Sequence, residues 1–270
     1  MSGPIKPRSP SAAGRWLAEA RRLLDRFEDT QMEAVTQAAR VAADAIAAGG
    51  LAHLFGTGHS RIPLEEMFPR YGSFPGFHPM AELSMTFHTQ VTGSNGQRQA
   101  MFIERVEGLA EQILANFDLA PPDCMFVFSA SGRSAVPIEM AMGARRRGLP
   151  VVAVVSLPQC NAAPSSHSSG TRLPDHADVV IDLGTPPADA LVTLEGLDTP
   201  VGPGSSFIYA VVVNEIKVQT AQRLVELGKM PPVITSSAVV GEERSAALFE
   251  AAYAEHARRY ASRLRVARDV

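Results

Sequence analysis

The sequence predicts an α/β fold in which helices cover both faces of a parallel sheet. Three observations indicate this fold. Short apolar runs recur along the chain, two of them stop at loops rich in glycine and serine, and helical patterns lie between the runs. Strands of a parallel sheet are buried on both faces, so they read as continuous apolar runs. Strands that alternate with helices in this way are typical of α/β domains.

Four buried strands are predicted from these runs, at 51–55, 124–128, 151–155 and 179–181. Each is short and apolar, and the last two are rich in β-branched residues, which favour strands. The stretch 71–99 has a poor signal because glycines and prolines interrupt it. We assign no strand there, and 80–88 is a candidate for one short helix.

Helical periodicity predicts the remaining elements. Apolar positions form one stripe over 16–27 and a second over 32–46, which Gly49 and Gly50 end, so we expect an N-terminal helical hairpin. Further helices are predicted at 103–117, at 207–227 and near the C-terminus at 249–264. Residues 1–14 are rich in proline, serine and glycine and are expected to form a flexible tail, with a single domain over 15–270.

Composition excludes several classes of protein. The 270 residues include 25 Lys+Arg and 28 Asp+Glu, and a formal net charge of −3 argues against nucleic-acid binding through a broad basic surface. Cys124 and Cys160 are the only cysteines, too few for a tetrahedral thiolate zinc site, and they fit a reducing compartment. No run of about 18 apolar residues and no apolar leader occurs. We therefore expect a cytoplasmic protein without a membrane partner.

Two strand-to-helix loops follow the same plan. Residues 58–65 align without gaps on 132–139, with glycine first, serine third and proline sixth. In the first loop the glycine is Gly58 and the serine is Ser60. Glycine permits a tight turn, serine suits a helix N-cap, and proline is tolerated in the first helical turn. Each loop thus directs amide groups, a hydroxyl and a helix dipole to a point beyond a strand's carboxyl end, which attracts phosphate.

The second loop carries the stronger signal. Ser129, Ser131 and Ser134 surround Gly132, and one helix cap needs only one hydroxyl. The alternative, that both loops are ordinary helix caps, stays open. Other phosphate motifs do not fit: Arg61 stands where a dinucleotide fingerprint needs its third glycine, and the chain has neither a P-loop nor a nucleophile elbow.

The loops Gly56-Thr57-Gly58-His59-Ser60 and Ser129-Ala130-Ser131-Gly132-Arg133-Ser134 resemble the two phosphate-contacting loops of the sugar isomerase (SIS) domain. The resemblance covers about 32–227 and is strongest to a phosphoheptose-isomerase-like bacterial group. It implies a doubly wound three-layer sandwich with a five-stranded parallel sheet. It also implies a phosphorylated sugar or amino sugar as ligand, a homodimer or homotetramer, and phosphate contacts from Ser60, Ser129, Ser131 and Ser134.

The resemblance also implies a reaction. Many members interconvert aldose and ketose phosphates through an enediol, which needs a base of tuned pKa near C1 and C2 of the sugar. Glu195 is our candidate base, since in several SIS enzymes a glutamate shortly before a serine-containing helix start has this role. Its distance from Ser205 is longer than usual, and a solvated loop carboxylate is the alternative. His59, inside the first loop, is the candidate to assist or to bind a hydroxyl; hydrogen bonding to backbone is its alternative.

Other candidate residues follow from the same comparison. In phosphoheptose isomerases a metal-ligating histidine and a catalytic glutamate lie on the helix after the first loop, and here Glu66 and Arg70 stand at those places. Heptose isomerisation and its zinc are therefore in doubt, Glu66 stays a candidate catalytic carboxylate, and no metal or cofactor is predicted. His167, in a serine-rich loop, is a candidate sugar ligand or a structural residue. The weak alternative of a metal site is the set His78, Glu82 and His88.

Two alternatives to the isomerase share this predicted site. One is a phosphosugar-binding module without turnover, which serves regulation. The other is cleavage of an amino-sugar phosphate ether, or deamination. The residues do not separate these alternatives, because all three functions need the same phosphate-binding loops.

Overall fold

The computed structural model describes residues 11–86 and 96–265. Its first element, α1, is one continuous helix over Arg15–Ala47. The predicted helical hairpin is therefore wrong. Residues 28–31, between the two apolar stripes, contain neither glycine nor proline, so nothing interrupts the helix. The predicted end is confirmed: Gly49 has φ 85°, and the amides of Gly49 and Gly50 bond to the last-turn carbonyls of Ile46 and Ala45.

The central sheet has five parallel strands, and the predicted fold class is confirmed. The strands are β1 (Ala52–Gly56), β2 (Phe77–Pro79), β3 (Cys124–Phe128), β4 (Val151–Val155) and β5 (Val179–Asp182). Their order is β2-β1-β3-β4-β5, and every pair is parallel. Four strands agree with the predictions. The three-residue β2 lies in the stretch that was left unassigned, and the alignment of its backbone with β1 makes it a strand.

Helices and one small hairpin complete the described chain. The helices are α2 (Ile62–Met67), α3 (Leu83–Thr86), α4 (Gly96–Ile103), α5 (Leu109–Leu114), α6 (Ala135–Arg146), α7 (Leu157–Asn161), α8 (Ser205–Glu226), α9 (Ser237–Val240) and α10 (Glu242–Ala261). The hairpin pairs β6 (Ala190–Val192) with β7 (Val201–Pro203). The long helices predicted at 207–227 and near the C-terminus are confirmed. The helix predicted at 103–117 is wrong, since Gly108 at φ 87° separates α4 from α5.

The sheet divides the core into two layers of buried side chains. Alternate residues of β3 face opposite sides: Phe126 and Phe128 pack with α1 and α8, whereas Met125 and Val127 pack with α5 and α6. This is the three-layer sandwich expected when helices cover both faces of a parallel sheet. Among the described residues, no helix is long and apolar enough to cross a membrane.

Candidate functional site

The site lies where the direction of chain winding changes. β1 and β3 are neighbours and end at the same level, because Gly56 is paired with Phe128. From β1 the chain continues to β2 on one side, and from β3 to β4 and β5 on the other. In doubly wound sheets ligands bind at this switch point, beyond the carboxyl ends of the strands. The loops 57–61 and 129–134 begin there side by side.

The two loops contact each other directly. The amide of Ala130 donates a hydrogen bond to Ser60 Oγ at 3.4 Å. Gly58, with φ 55°, starts a 3-10 turn over Gly58–Arg61, and His59 is exposed next to Ser60. The structure therefore brings both predicted phosphate loops to one corner, and His59 lies on its rim.

The backbone of the second loop requires glycine at 132. Gly132 has φ 59°, a left-handed conformation that residues with a Cβ rarely adopt. A Cβ placed there would lie 3.1 Å from Cys160 Sγ and 3.3 Å from Val155 Cγ1. The Gly132 amide donates to both the carbonyl and the hydroxyl of Ser129, each at 3.1 Å. Ser129 is buried and so stabilises the turn from inside.

The loop turns its carbonyl groups toward neighbouring segments and leaves amide groups without acceptors. Three of its carbonyl oxygens accept hydrogen bonds from segments packed against it: Ala130 from Ser156 (2.9 Å), Gly132 from Leu173 (2.9 Å) and Arg133 from Ser166 (3.0 Å). By contrast, the described residues provide no acceptor for the amide groups of Ser131, Ser134 and Ala135. Amide donors at a helix N-terminus attract an anion. Ser131 Oγ likewise has no hydrogen bond to a described residue.

One carboxylate, Glu104, bridges the two loops. Its Oε2 accepts a hydrogen bond from Thr57 Oγ1 at 2.7 Å, and its Oε1 accepts one from Ser134 Oγ at 3.1 Å. The Glu104 carbonyl also accepts a bond from the amide of Val136 in α6, at 3.0 Å. A negative group is stabilised at a helix N-terminus, and Glu104 has this position at α6. Glu104 was not predicted as a site residue, because the apolar pattern over 103–117 resembles one helix; Gly108 was the local signal against that helix.

Tyr209 joins the corner from α8 and was also missed. Its hydroxyl lies 3.1 Å from Ser60 Oγ, and its ring packs edge-on against Phe128. The side chain is 1% exposed, and burial raises the pKa of the phenol, so the hydroxyl is neutral at physiological pH. The predicted apolar pattern of α8 gave no reason to single out this tyrosine.

Asp189 attaches the β6–β7 hairpin to the start of α8. Its carboxylate accepts bonds from the amide of Ser205 (2.9 Å) and from Ser205 Oγ (2.6 Å), and its carbonyl accepts one from the amide of Gly204 (2.8 Å). Asp189 itself has φ 59°. This left-handed aspartate therefore holds the hairpin on the helix that carries Tyr209.

Glu195 lies between the strands of that hairpin and is exposed. The hairpin packs on the start of α1, where Trp16 Nε1 donates to the carbonyl of Pro203 at 3.2 Å. Glu195 has no hydrogen bond or ion pair with a described residue. Within one chain, the structure does not bring this candidate base into contact with the two phosphate loops.

Glu66 faces α8 rather than the loops. Its carboxylate pairs with Arg70 (2.6 Å) and accepts a bond from Asn214 (3.3 Å), and its carbonyl accepts one from Lys217 Nζ (2.9 Å). Lys217 is buried, and burial lowers the pKa of its ammonium group. These contacts stabilise the packing of α2 on α8.

Of the set His78, Glu82 and His88, which was the alternative metal site, the structure describes the first two residues. His78 lies in the strand β2, not on a helix with Glu82 as the alternative supposed, and its Nδ1 is 2.8 Å from His53 Nδ1. Burial lowers the pKa of His78 to about 3. His88 lies outside the described residues. His167, the candidate sugar ligand, has its Nε2 3.5 Å from Glu139 Oε1 on α6.

Comparison with known proteins gives a consistent result. Residues 15–156 match the model of the SIS domain. A UPF0309 protein of Listeria monocytogenes is 34% identical over 218 residues, which cover 81% of this chain and 86% of the relative. A UPF0309 protein of Streptomyces coelicolor is 33% identical over 231 residues, 85% of this chain and 90% of the relative. The structure of a phosphoheptose isomerase from Francisella tularensis is 14% identical, covering 77% of this chain and 95% of that one, with a TM-score of 0.49.

Proposed function

Because the chain belongs to the SIS-domain family, and because its two loops meet in one corner with unused amide donors, we propose that it binds a phosphorylated sugar or amino sugar. The observation that carries this proposal is the set of amides of Ser131, Ser134 and Ala135, which have no acceptor among the described residues. A phosphate dianion accepts several such bonds and is also stabilised by the dipole of α6.

The hydroxyl groups complete the proposed phosphate site. Ser131 Oγ is free to donate, and Ser60 Oγ is held at the corner by Tyr209 and Ala130. Ser134 Oγ donates to Glu104, and a bound phosphate competes for this hydroxyl. Two anions in contact repel each other, so phosphate binding requires the carboxylate of Glu104 to move away from Ser134.

We propose aldose–ketose isomerisation as the reaction at this site. A base removes the proton from the carbon next to the carbonyl group while the carbonyl oxygen takes up a proton, which gives an enediol. A proton is then delivered to the former carbonyl carbon, and the neighbouring hydroxyl loses its proton and becomes the new carbonyl group. Glu195 is the proposed base and His59 the proposed assisting group, on the family resemblance. Glu195 is exposed and has no ion pair with any residue that the structure describes, so it is available to a sugar bound between subunits of an oligomer. We assign no step to Glu66, because its contacts hold α2 against α8.

A second candidate function is phosphosugar sensing without turnover. Two observations favour it: Arg70 stands where phosphoheptose isomerases have a catalytic glutamate, and Glu195 does not contact the loops within one chain. The two functions differ in one measurement, since only an isomerase exchanges the carbon-bound protons at C1 or C2 with solvent.

The first experiment tests binding. The protein is screened by thermal unfolding with hexose, heptose and amino-sugar phosphates, each beside its unphosphorylated sugar. A ligand at 100-fold its Kd raises the apparent stability by ~2.7 kcal/mol. We expect Ser131→Ala to weaken the response and Ser237→Ala, an exposed serine on α9, to leave it unchanged. Equal responses with and without the phosphate group would contradict the proposal.

The second experiment tests turnover. Each ligand found in the screen is incubated with the protein in heavy water, and proton NMR follows deuterium uptake at C1 and C2. An isomerase exchanges deuterium, and Glu195→Gln abolishes the exchange while binding persists. Saturable binding with neither deuterium exchange nor conversion of any ligand to a product identifies the sensing function instead.

A further inference from the structure

Three side chains able to ligate a metal converge beside α6. Glu107 lies in the connection between α4 and α5, Glu139 lies on α6, and His167 lies in the serine-rich loop after α7. One ligand atom of each lies within 4.8 Å of the other two. We propose that Glu107, Glu139 and His167 bind a divalent first-row transition metal, with zinc as the expected ion. The sequence analysis predicted no metal, because these residues show no ligand spacing along the chain.

The two carboxylates are oriented but not neutralised by a basic side chain. Both oxygens of Glu139 accept from the amide of Gly108 at 2.8 Å, and Glu107 accepts from the amide (2.6 Å) and the hydroxyl (2.7 Å) of Ser168. In the described chain neither carboxylate has an ion pair with lysine or arginine, whereas the nearby Glu111 pairs with two arginines. The bonds from Ser168 lower the pKa of the Glu107 carboxyl, so it is ionised.

Converging negative charges need a positive partner. Two carboxylates within 4.8 Å of each other repel at neutral pH, and a bound cation removes that repulsion. The nearest titratable group that faces both is the imidazole of His167.

The imidazole of His167 has the position of a ligand. Its side chain is 8% exposed, and Nε2 faces Glu139 Oε1 at 3.5 Å without a hydrogen bond to a described residue. On the other side of the ring, Nδ1 lies 2.7 Å from Ser169 Oγ. The amide of Ser169 also lies 3.2 Å from Nδ1 and donates to it in the ligand-free protein. A metal at Nε2 requires the other tautomer, in which Nδ1 carries the proton and donates it to Ser169 Oγ. Histidine ligands are commonly oriented by such a second hydrogen bond.

The ligand set selects the class of ion. One imidazole nitrogen and two carboxylate oxygens suit zinc and its neighbours, whereas magnesium and calcium prefer oxygen ligands alone. Glu107 is exposed, so the site is open to a further ligand. The site also adjoins the phosphate loop: Glu139 follows Ser134 on α6, and the amide of Ser166 donates to the Arg133 carbonyl at 3.0 Å. A bound metal would therefore link three segments next to that corner. These are the connection between α4 and α5, the helix α6, and the serine-rich loop.

The test measures metal binding by the full chain without any sugar. The protein is stripped with a chelator, and zinc affinity is measured by competition with a chromophoric chelator. We expect one ion per chain and an affinity about 100-fold weaker in Glu107→Gln/Glu139→Gln, and at least about tenfold weaker in His167→Leu. The matched control Glu250→Gln, on the exposed side of α10, keeps the affinity of the unmodified chain.

Two further measurements make the result decisive. Thermal unfolding in the presence of chelator shows that each variant is folded without metal. Cobalt bound in place of zinc gives a visible d–d spectrum that His167→Leu alters, because a nitrogen ligand is lost. Equal zinc affinity in the double variant and the unmodified chain, or several weak ions in both, would overturn the proposal. Since no sugar is present, this outcome is independent of the phosphosugar proposal.

Discussion

The carboxylate of Glu104 accepts a hydrogen bond from Ser134 Oγ at 3.1 Å, at the N-terminus of α6. The family resemblance implies that this hydroxyl contacts phosphate, so the protein itself supplies an anion at its proposed anion site. The ligand-free corner is thereby stabilised, and the phosphate must displace an internal acceptor. This arrangement makes the affinity for phosphate depend on the charge of one side chain.

We predict that Glu104→Gln strengthens phosphate binding. The amide oxygen still accepts a hydrogen bond from one of the two hydroxyls of Thr57 and Ser134, and the amide NH2 donates to the other. The neutral side chain no longer repels the incoming dianion. The expected gain is about tenfold in affinity, or ~1.4 kcal/mol. Isothermal titration with inorganic phosphate measures it, with Glu250→Gln as the control. Weaker binding in Glu104→Gln would show that Glu104 supports the phosphate and does not compete with it.

Gly132→Ala is expected to destabilise the fold. The left-handed φ and the 3.1 Å approach to Cys160 Sγ both oppose a Cβ, so the free energy of unfolding falls by about 1–3 kcal/mol. Gly228→Ala is the matched control, because Gly228 has φ 64° but no atom within 4 Å of the added Cβ. Urea denaturation of both variants separates backbone strain from crowding. Equal losses would mean that crowding at Gly132 contributes nothing.

Removal of the Tyr209 hydroxyl tests the link between α8 and the first loop. Tyr209→Phe keeps the buried ring and its contact with Phe128 but loses the hydrogen bond to Ser60. We expect a loss of about 0.5–1.5 kcal/mol in stability and weaker phosphosugar binding. Tyr253→Phe, on the exposed side of α10, is the control. An unchanged affinity would show that Ser60 needs no support from α8.

His78 makes stability depend on pH. Burial and the nearby His53 and His256 hold its pKa at about 3, below the ordinary value of 6.5, so the folded protein keeps it neutral. As the pH falls, His78 is protonated in the unfolded chain at a higher pH than in the folded protein. The free energy of unfolding therefore decreases below about pH 6.5, by up to ~1.4 kcal/mol per pH unit, until folded His78 is protonated near pH 3.

Urea denaturation between pH 7.5 and 4.5 tests this dependence. We expect His78→Gln to be less stable at pH 7.5. Its free energy of unfolding should depend less steeply on pH, with a slope smaller by the contribution of about one proton. His176→Gln, a partly buried histidine outside this cluster, is compared at the same pH values. The same slope in His78→Gln and in the unmodified chain would contradict the assignment.

The predictable part of the fold is the part that local patterns determine. β1 and β3 are continuous apolar runs, and the repeated loop pattern after them identified the corner where they end. β2 was not predictable, because three residues become a strand only through pairing with β1. The continuity of α1 was missed because two apolar stripes resemble two helices. Glu104 and Tyr209 reach the corner from 47 and 149 residues away, through contacts that no local pattern encodes.

Asp189 connects the hairpin of the proposed base to the helix that contacts the proposed phosphate site. The hairpin that carries Glu195 cannot shift without disturbing the first turn of α8, and that helix holds Ser60 through Tyr209. If the corner binds phosphate and Glu195 is the base, as proposed above, we expect this connection to couple phosphate binding to the position of Glu195. A substitution at Asp189 should consequently impair recognition of the ester group and proton abstraction together, although this residue contacts neither loop.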